Sequence, residues 1–153
     1  MKVFVRASTQ ADVDYLSNNL RTEDAQEVLA SHGGSVEALQ LGLNNSEECW
    51  TIIVEDTNEI AGMYGVGRID NLTGSPWLLT SPPVTKIWIP FLRGSRKWVE
   101  QVNNKYPVLT NAVDEEYKVA VNWLRFLGFT FIKRHETWGG SNRPFLEFVR
   151  IKT

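Results

Sequence analysis

Arg93, Arg96 and Lys97 stand at helical spacing, so Arg93 shares a helix face with Arg96 or Lys97. Cations so placed could meet a phosphate or an acidic partner; the plainer reading is a solvated helix face. Asp114, Glu115 and Glu116 form an acidic run that reads as a helix start, where the dipole favours negative charge. His135 beside Glu136 reads either as an orienting pair for proton transfer or as polar surface. Cys49 has no His/Asp constellation around it in sequence and reads as a small buried hydrophobe beside Trp50. Gly62, Gly65 and Gly67 fall inside one strand-like segment, where glycine marks a bulge or the close approach of another backbone or a ligand. Trp138, followed by Gly139 and Gly140, sits in a turn, and an exposed Trp there would suggest an interface.

The same residues exclude several chemistries. One Cys rules out an intramolecular disulfide framework, and one Cys with two His is too little for a structural zinc site. Neither a Walker loop nor a GxGxxG fingerprint occurs. Residues 1–60 carry three basic against eleven acidic residues, a net charge of -8; residues 61–153 carry thirteen against seven, a net of +6. An anionic ligand is therefore favoured in the second half, unless the asymmetry is only two solvated sides of opposite sign. The total of -2 argues against broad nucleic-acid binding. No apolar run is long enough to span a membrane, and the opening residues lack the apolar core of a secretory signal. A hydrophobic share of 42% over 153 residues supports one domain, expected to be reduced, soluble and cytoplasmic.

The elements that must position these residues follow from periodicity. Val3 to Arg6 reads as a strand. Val13, Leu16 and Leu20 make Thr9 to about Asn19 an amphipathic helix capped by Thr9, with Asp12 completing the box. Thr22 is expected to cap a second helix that ends at Gly33-Gly34, and Ser35 a third that stops at Asn44-Asn45. Trp50 to Glu55, Ile60 to Ile69 and Trp77 to Thr80 read as strands, with Asn71 to Pro76 a turn. Val84 to about Lys105 is helical, with a kink or a restart at Pro90. Val108 to Val113 is a strand. A helix then begins at Glu115 or Glu116 and closes on Gly128, expected at positive φ between buried Leu127 and Phe129. Phe129 to Lys133 and Phe145 to Arg150 form a last hairpin. Helices and strands alternate after Thr80, so the chain reads as an α/β domain (α+β by some schemes) with parallel pairing in its second half.

The segment Val119-Ala120-Val121-Asn122-Trp123-Leu124-Arg125-Phe126-Leu127-Gly128-Phe129 resembles the fourth-helix motif of the GNAT superfamily of acyl-CoA-dependent N-acetyltransferases, in which a helix closes with Leu-Gly-Phe and feeds a strand. The order of elements is similar over nearly the whole chain. Phe91-Leu92-Arg93 with Ser95-Arg96, Tyr106-Pro107-Val108-Leu109, Asn111-Ala112-Val113-Asp114 and Trp123 to Thr130 resemble small tailed-phage GNAT-like proteins related to an internal virion protein of podophages. This resemblance implies a single GNAT-like domain over residues 1–153, with a mixed central sheet, two splayed parallel strands and flanking helices. It implies that Trp77 to Thr80 runs parallel to Val108 to Ala112 and diverges from it. It places acetyl-CoA against Leu78, Leu79, Thr80, Ser81, Val84, Thr85, Lys86, Arg93 and Tyr117. It puts the catalytic base among Asp70, Asp114, Glu115, Glu116, Glu136 and His135, with Asp114, Glu115 and His135 the chosen set.

The resemblance fails at one place that matters. The family loop carries a Gln or Arg followed by spaced glycines. Here it reads Ser81-Pro82-Pro83-Val84-Thr85-Lys86, with no glycine and with two residues that have no N–H. Tyr117 stands where the family often has Asn, and Leu124 where a Tyr commonly acts as general acid. The expectation is a phage-encoded acetyltransferase that transfers an acetyl group to an amine of a protein or small molecule and binds acetyl-CoA weakly or not at all through this loop. The alternative is a catalytically weak or inactive scaffold that serves virion assembly or binds a host factor.

Overall fold

The computed structural model describes residues 2–153. In chain order the elements are β1 (Val3–Ala7), α1 (Gln10–Leu16), α2 (Thr22–His32), α3 (Ser35–Asn45), β2 (Ser46–Val54), β3 (Glu59–Arg68), β4 (Thr73–Thr80), a 3-10 turn (Pro82–Lys86), α4 (Trp88–Lys105), β5 (Val108–Asp114), α5 (Lys118–Phe126), β6 (Thr130–His135) and β7 (Phe145–Ile151). The order of strands and helices is the one the periodicity predicts. The seven strands form one mixed sheet in the order β1-β2-β3-β4-β5-β7-β6. Only β4 and β5 are parallel; every other neighbouring pair is antiparallel.

Alternation along the strands separates the two faces, because successive side chains point to opposite sides. Met63 and Leu79 pack with Val13, Leu16, Val28 and Leu39 of the first three helices. Their neighbours Tyr64 and Leu78 pack instead with Ile87 and Phe91, at the start of α4, and with Trp123 of α5. Val66, Val99, Val102, Leu109, Val121 and Phe148 extend this second core toward β7. Of the apolar residues at helical spacing, Val13, Leu16, Val28, Leu39, Phe91, Val99, Val102, Val121 and Leu124 are buried, whereas Leu29, Val36 and Val119 are exposed; burial of this kind supplies most of the stability of such helices.

Several boundaries differ from expectation, each for a local reason. β4 starts at Thr73, so Thr73 to Pro76 is strand and not turn. Pro76 is tolerated because its carbonyl, and hence the side where an N–H would point, faces the diverging β5. α5 starts at Lys118, and the acidic run before it is no helix start. Instead the Asp114 carboxylate accepts from the Glu116 N–H at 3.0 Å, and the Tyr117 N–H donates to the Asp114 carbonyl at 3.0 Å, which makes a turn. Pro90 falls in the first turn of α4, which restarts after the 3-10 turn, where a missing N–H costs nothing. Thr22 and Ser35 are first helical residues, with Arg21 and Gly34 in the cap positions. Thr9 is the cap of α1, and its N–H donates to Asp12 at 2.9 Å, completing the box. Gly65 faces the carbonyl of Glu48 so closely that a side chain would collide with it, the close approach expected of a glycine in a strand. Gly128 has φ +88° and joins α5 to β6 between buried Leu127 and Phe129.

Candidate active site between the splayed strands

β4 and β5 are in register only at Thr73–Val108 and Gly74–Leu109, and then part. At the point of parting, the Asn111 side-chain amide donates to the Pro76 carbonyl at 2.8 Å while its oxygen accepts from the Ala112 N–H, also at 2.8 Å. One side chain thus takes the place of the next ladder bond and fixes where the gap opens. Beyond it lies a cavity of about 1060 Å³ that reaches both faces of the sheet. Leu78, Ala112, Trp88, Phe91 and Trp123 are among its walls. Trp123 stacks on Phe91 with ring centroids 5.5 Å apart, which links α5 to α4 across the gap. The Trp123 indole Nε1–H is buried and has no hydrogen-bond partner in the protein, the sole such side-chain atom among the described residues. A buried donor without an acceptor is costly, and a ligand carbonyl in the gap would satisfy it.

The turn at the end of β4 is closed upon itself. The Ser81 N–H donates to the Ala61 carbonyl at 2.9 Å, and the Val84 N–H to the Ser81 carbonyl at 3.0 Å. Pro82 and Pro83 between them have no N–H, so none of these four residues offers a free backbone donor to an anion. The Ser81 hydroxyl donates to the Ile60 carbonyl at 2.5 Å, and the Thr85 hydroxyl to the Pro82 carbonyl at 3.0 Å. Lys86 is paired with Glu59 at 2.8 Å. Arg93 lies exposed on α4. Among the residues expected against the cofactor, Leu78, Leu79, Thr80 and Tyr117 line the cavity, whereas Ser81, Val84, Thr85, Lys86 and Arg93 do not.

The far ends of the splayed strands meet α2 through acids. Asp24 is 3% exposed, and its carboxylate accepts from the Thr80 hydroxyl at 2.5 Å, the Thr80 N–H at 3.3 Å and the Tyr117 hydroxyl at 3.3 Å. Burial pushes its pKa up to about 6, against the lowering effect of those bonds and of Arg21 nearby. One turn on, Glu27 accepts from the Asp114 N–H at 3.0 Å. Burial pushes Glu27 up to about 8; that hydrogen bond opposes the rise, and the adjacent Asp24 and Asp114 carboxylates add to it. Burial and Asp24 hold the Tyr117 phenol above its ordinary range. Arg21 reaches the Tyr117 oxygen at 3.4 Å and lies over Trp88, 5.9 Å from the ring centroid.

Asp114 is 1% exposed and is held by Arg143 from the β6–β7 loop, with Nη2–Oδ2 2.6 Å and Nε–Oδ2 2.7 Å. Glu115 pairs with Arg134 at 3.0 Å. His135 meets Glu147 at 3.0 Å, not Glu136, and packs against Trp138 with centroids 4.7 Å apart. Trp138 in turn stacks on Phe145. Asp114, Glu115 and His135 therefore follow one rim, each with a partner. The sequence reading gave no functional role to Asp24, Glu27 or Arg143, and took Asn111 and Trp123 only as parts of the segments that carry the resemblance. Among the described residues no group of three His, Cys or carboxylate side chains converges as metal ligands would.

No protein-family model matches the chain, and no characterised protein matches it by sequence. Solved structures do match in three dimensions. An acetyltransferase of the GNAT family from Bacillus anthracis superposes with a TM-score of 0.73 at 8% identity, covering 99% of this chain and 95% of that one. Spermidine N-acetyltransferase from Vibrio cholerae, in complex with CoA and spermine, superposes with a TM-score of 0.65 at 12% identity, covering 98% and 95%. The chain has the GNAT fold, that of the acyl-CoA-dependent N-acetyltransferases. No helix among the described residues is long and apolar enough to cross a membrane.

Proposed function

We propose that this protein is an N-acyltransferase that takes the thioester arm of acetyl-CoA between β4 and β5 and presents an amine to it from the acidic rim. The observation that carries this reading is the gap itself: two backbone pairs, a side-chain bridge at Asn111, and then an apolar opening with the unpartnered Trp123 Nε1–H inside it. An amide-bearing arm would give that donor an acceptor and could pair with the free edge of a strand as an added peptide does. The diphosphate end of the cofactor does not fit. The turn at Ser81 to Val84 offers it no free N–H, and Lys86 is held by Glu59. The bound cofactor supplies an activated acyl group. Glu27, with a pKa near working pH, suits removal of a proton from an ammonium, and joins Asp114, Glu115 and His135 as a candidate base. Asp24 and Tyr117 hold the rim that positions the amine.

The resemblance of the segments between Phe91 and Thr130 to small tailed-phage proteins supports adding a bacteriophage origin to this reading, with action in the cytoplasm of a host cell. The closed turn favours a second reading, a scaffold that has lost its cofactor and binds a host or virion protein. Titrating acetyl-CoA and S-acetyl-pantetheine separates the two. Binding through the arm gives dissociation constants for the two compounds within about tenfold of each other and little salt dependence, because the diphosphate contributes little. A preference of several decades for acetyl-CoA would show a working diphosphate site and overturn the arm-only account. No binding of either compound would leave the scaffold.

A further inference from the structure

The cavity has a second end, away from the gap, on the face covered by α4. There Trp50 of β2 and Tyr64 of β3 are direct cross-strand neighbours. Trp98 of α4 lies over them, in edge contact with Tyr64 at a centroid distance of 4.8 Å. Glu48, two residues before Trp50 and on the same face, accepts on one carboxylate oxygen from both indoles, from Trp50 Nε1–H at 2.9 Å and Trp98 Nε1–H at 2.7 Å. Its other oxygen has no donor among the described residues. Nor does a Lys or Arg there come within ion-pair distance of it; Lys105 nearby is spent on Glu47 at 2.8 Å. All four side chains line the cavity.

Gly94, one helical turn before Trp98, lines it too, and a side chain there would meet nothing within 4 Å. A glycine in a helix interior is a poor helix former, and here packing does not require it. What its absent side chain does is leave that end of the cavity open.

We propose that this end of the cavity is a binding site for a methylated ammonium group. Three electron-rich rings and a fixed carboxylate with one free oxygen are the chemistry that such a cation selects. An apolar ligand of the same shape would use the rings but leave the carboxylate oxygen unpartnered, and an anion would be repelled. The two indole bonds hold the carboxylate in place before any ligand arrives, so little ordering is needed on binding. This end opens into the same cavity as the gap, and Tyr64 packs in the cluster that holds Leu78, Phe91 and Trp123; the proposal needs no acyl transfer, because the rings and the Glu48 carboxylate recognise the cation by themselves.

The test uses choline and its uncharged carbon isostere, with the indole N–H resonances of Trp50 and Trp98 as the readout. Choline is expected to shift both resonances and to bind at least about tenfold more tightly than the isostere. Glu48→Gln keeps an oxygen for the indoles and removes the charge; it is expected to erase that preference. Gly94→Leu places a better helix former over the opening, so the fold is retained while both compounds are shut out. Equal binding of choline and isostere, or no response of the two indoles to either, would overturn the proposal. So would unchanged choline affinity in folded Gly94→Leu.

Discussion

The two strands that part from each other end in opposite ways. β4 runs into a turn whose groups are paired within the protein: Ser81, Val84, Thr85 and Lys86 all have protein partners, and the prolines have no N–H to offer. β5 runs into a rim where carboxylates crowd together, Asp24 and Asp114 buried and Glu27 half-buried, and Asp24 and Glu27 hold protons to higher pH than free acids do. Folding alone favours the first arrangement. The second costs stability, and such costs concentrate where a protein meets a ligand. On the proposed function, the chemistry falls at the α2 side of the gap and the turn serves as a structural closure.

The contrast can be broken at the rim with the largest effect. Asp24 and Glu27 have raised pKa values in the folded protein, so the stability they allow is fully present below their unfolded values near 4 and is lost as pH rises through about 6 and about 8. Because each pKa unit corresponds to about 1.4 kcal/mol, Asp24 alone accounts for an expected loss of about 3 kcal/mol between pH 4 and 9, and Glu27, coupled to it, adds to that loss. Glu27→Gln is expected to flatten most of it. A pH series of thermal or denaturant melts decides, and a stability that holds level up to pH 9 would remove the distinction between rim and turn.

Next in size is Arg143→Ala, which leaves the carboxylate of Asp114 buried without its cation. The penalty for an orphaned buried charge is reduced here because Arg143 is partly exposed, to about 2–3 kcal/mol. The double variant with Asp114→Asn should recover more than half of that loss. Recovery would be absent if Arg143 only covers the surface.

The turn yields the smallest effect, and as a gain. Replacing Pro82 and Pro83 together by glycine restores two N–H groups. Acetyl-CoA affinity is expected to rise by at least about tenfold, or about 1.4 kcal/mol, with S-acetyl-pantetheine unaffected. An equal rise for both compounds would mean that the turn shapes the gap and does not exclude the diphosphate.

How much of this was legible in the sequence depends on the range of the interactions. The helices of residues 10–45 and the Leu127-Gly128-Phe129 junction are local patterns, and they were read nearly to their ends. The defect in the turn was legible because a proline lacks an N–H in any context. The rim was not. Asp24 meets Thr80 across 56 positions and Glu27 meets Asp114 across 87, so neither shows its partner in the local sequence. Asp114 itself was misassigned to a helix start, because the sequence does not show that Arg143 returns from the last hairpin to hold it. The length of the parallel register, two pairs and no more, had no local signature either; Asn111 and Pro76 define it only together.

The sheet is continuous in name, yet mechanically it is two plates of four and three strands joined along a short seam. Shearing one plate against the other strains the backbone bonds at Thr73–Val108 and Gly74–Leu109, the Asn111 bridge, and the helices laid across the seam. The weakest line of the molecule and its opening for a ligand are thus the same line. Anything seated there acts as a rivet between the plates, and its grip would be felt as stiffness on both sides, as far out as β1 and β6.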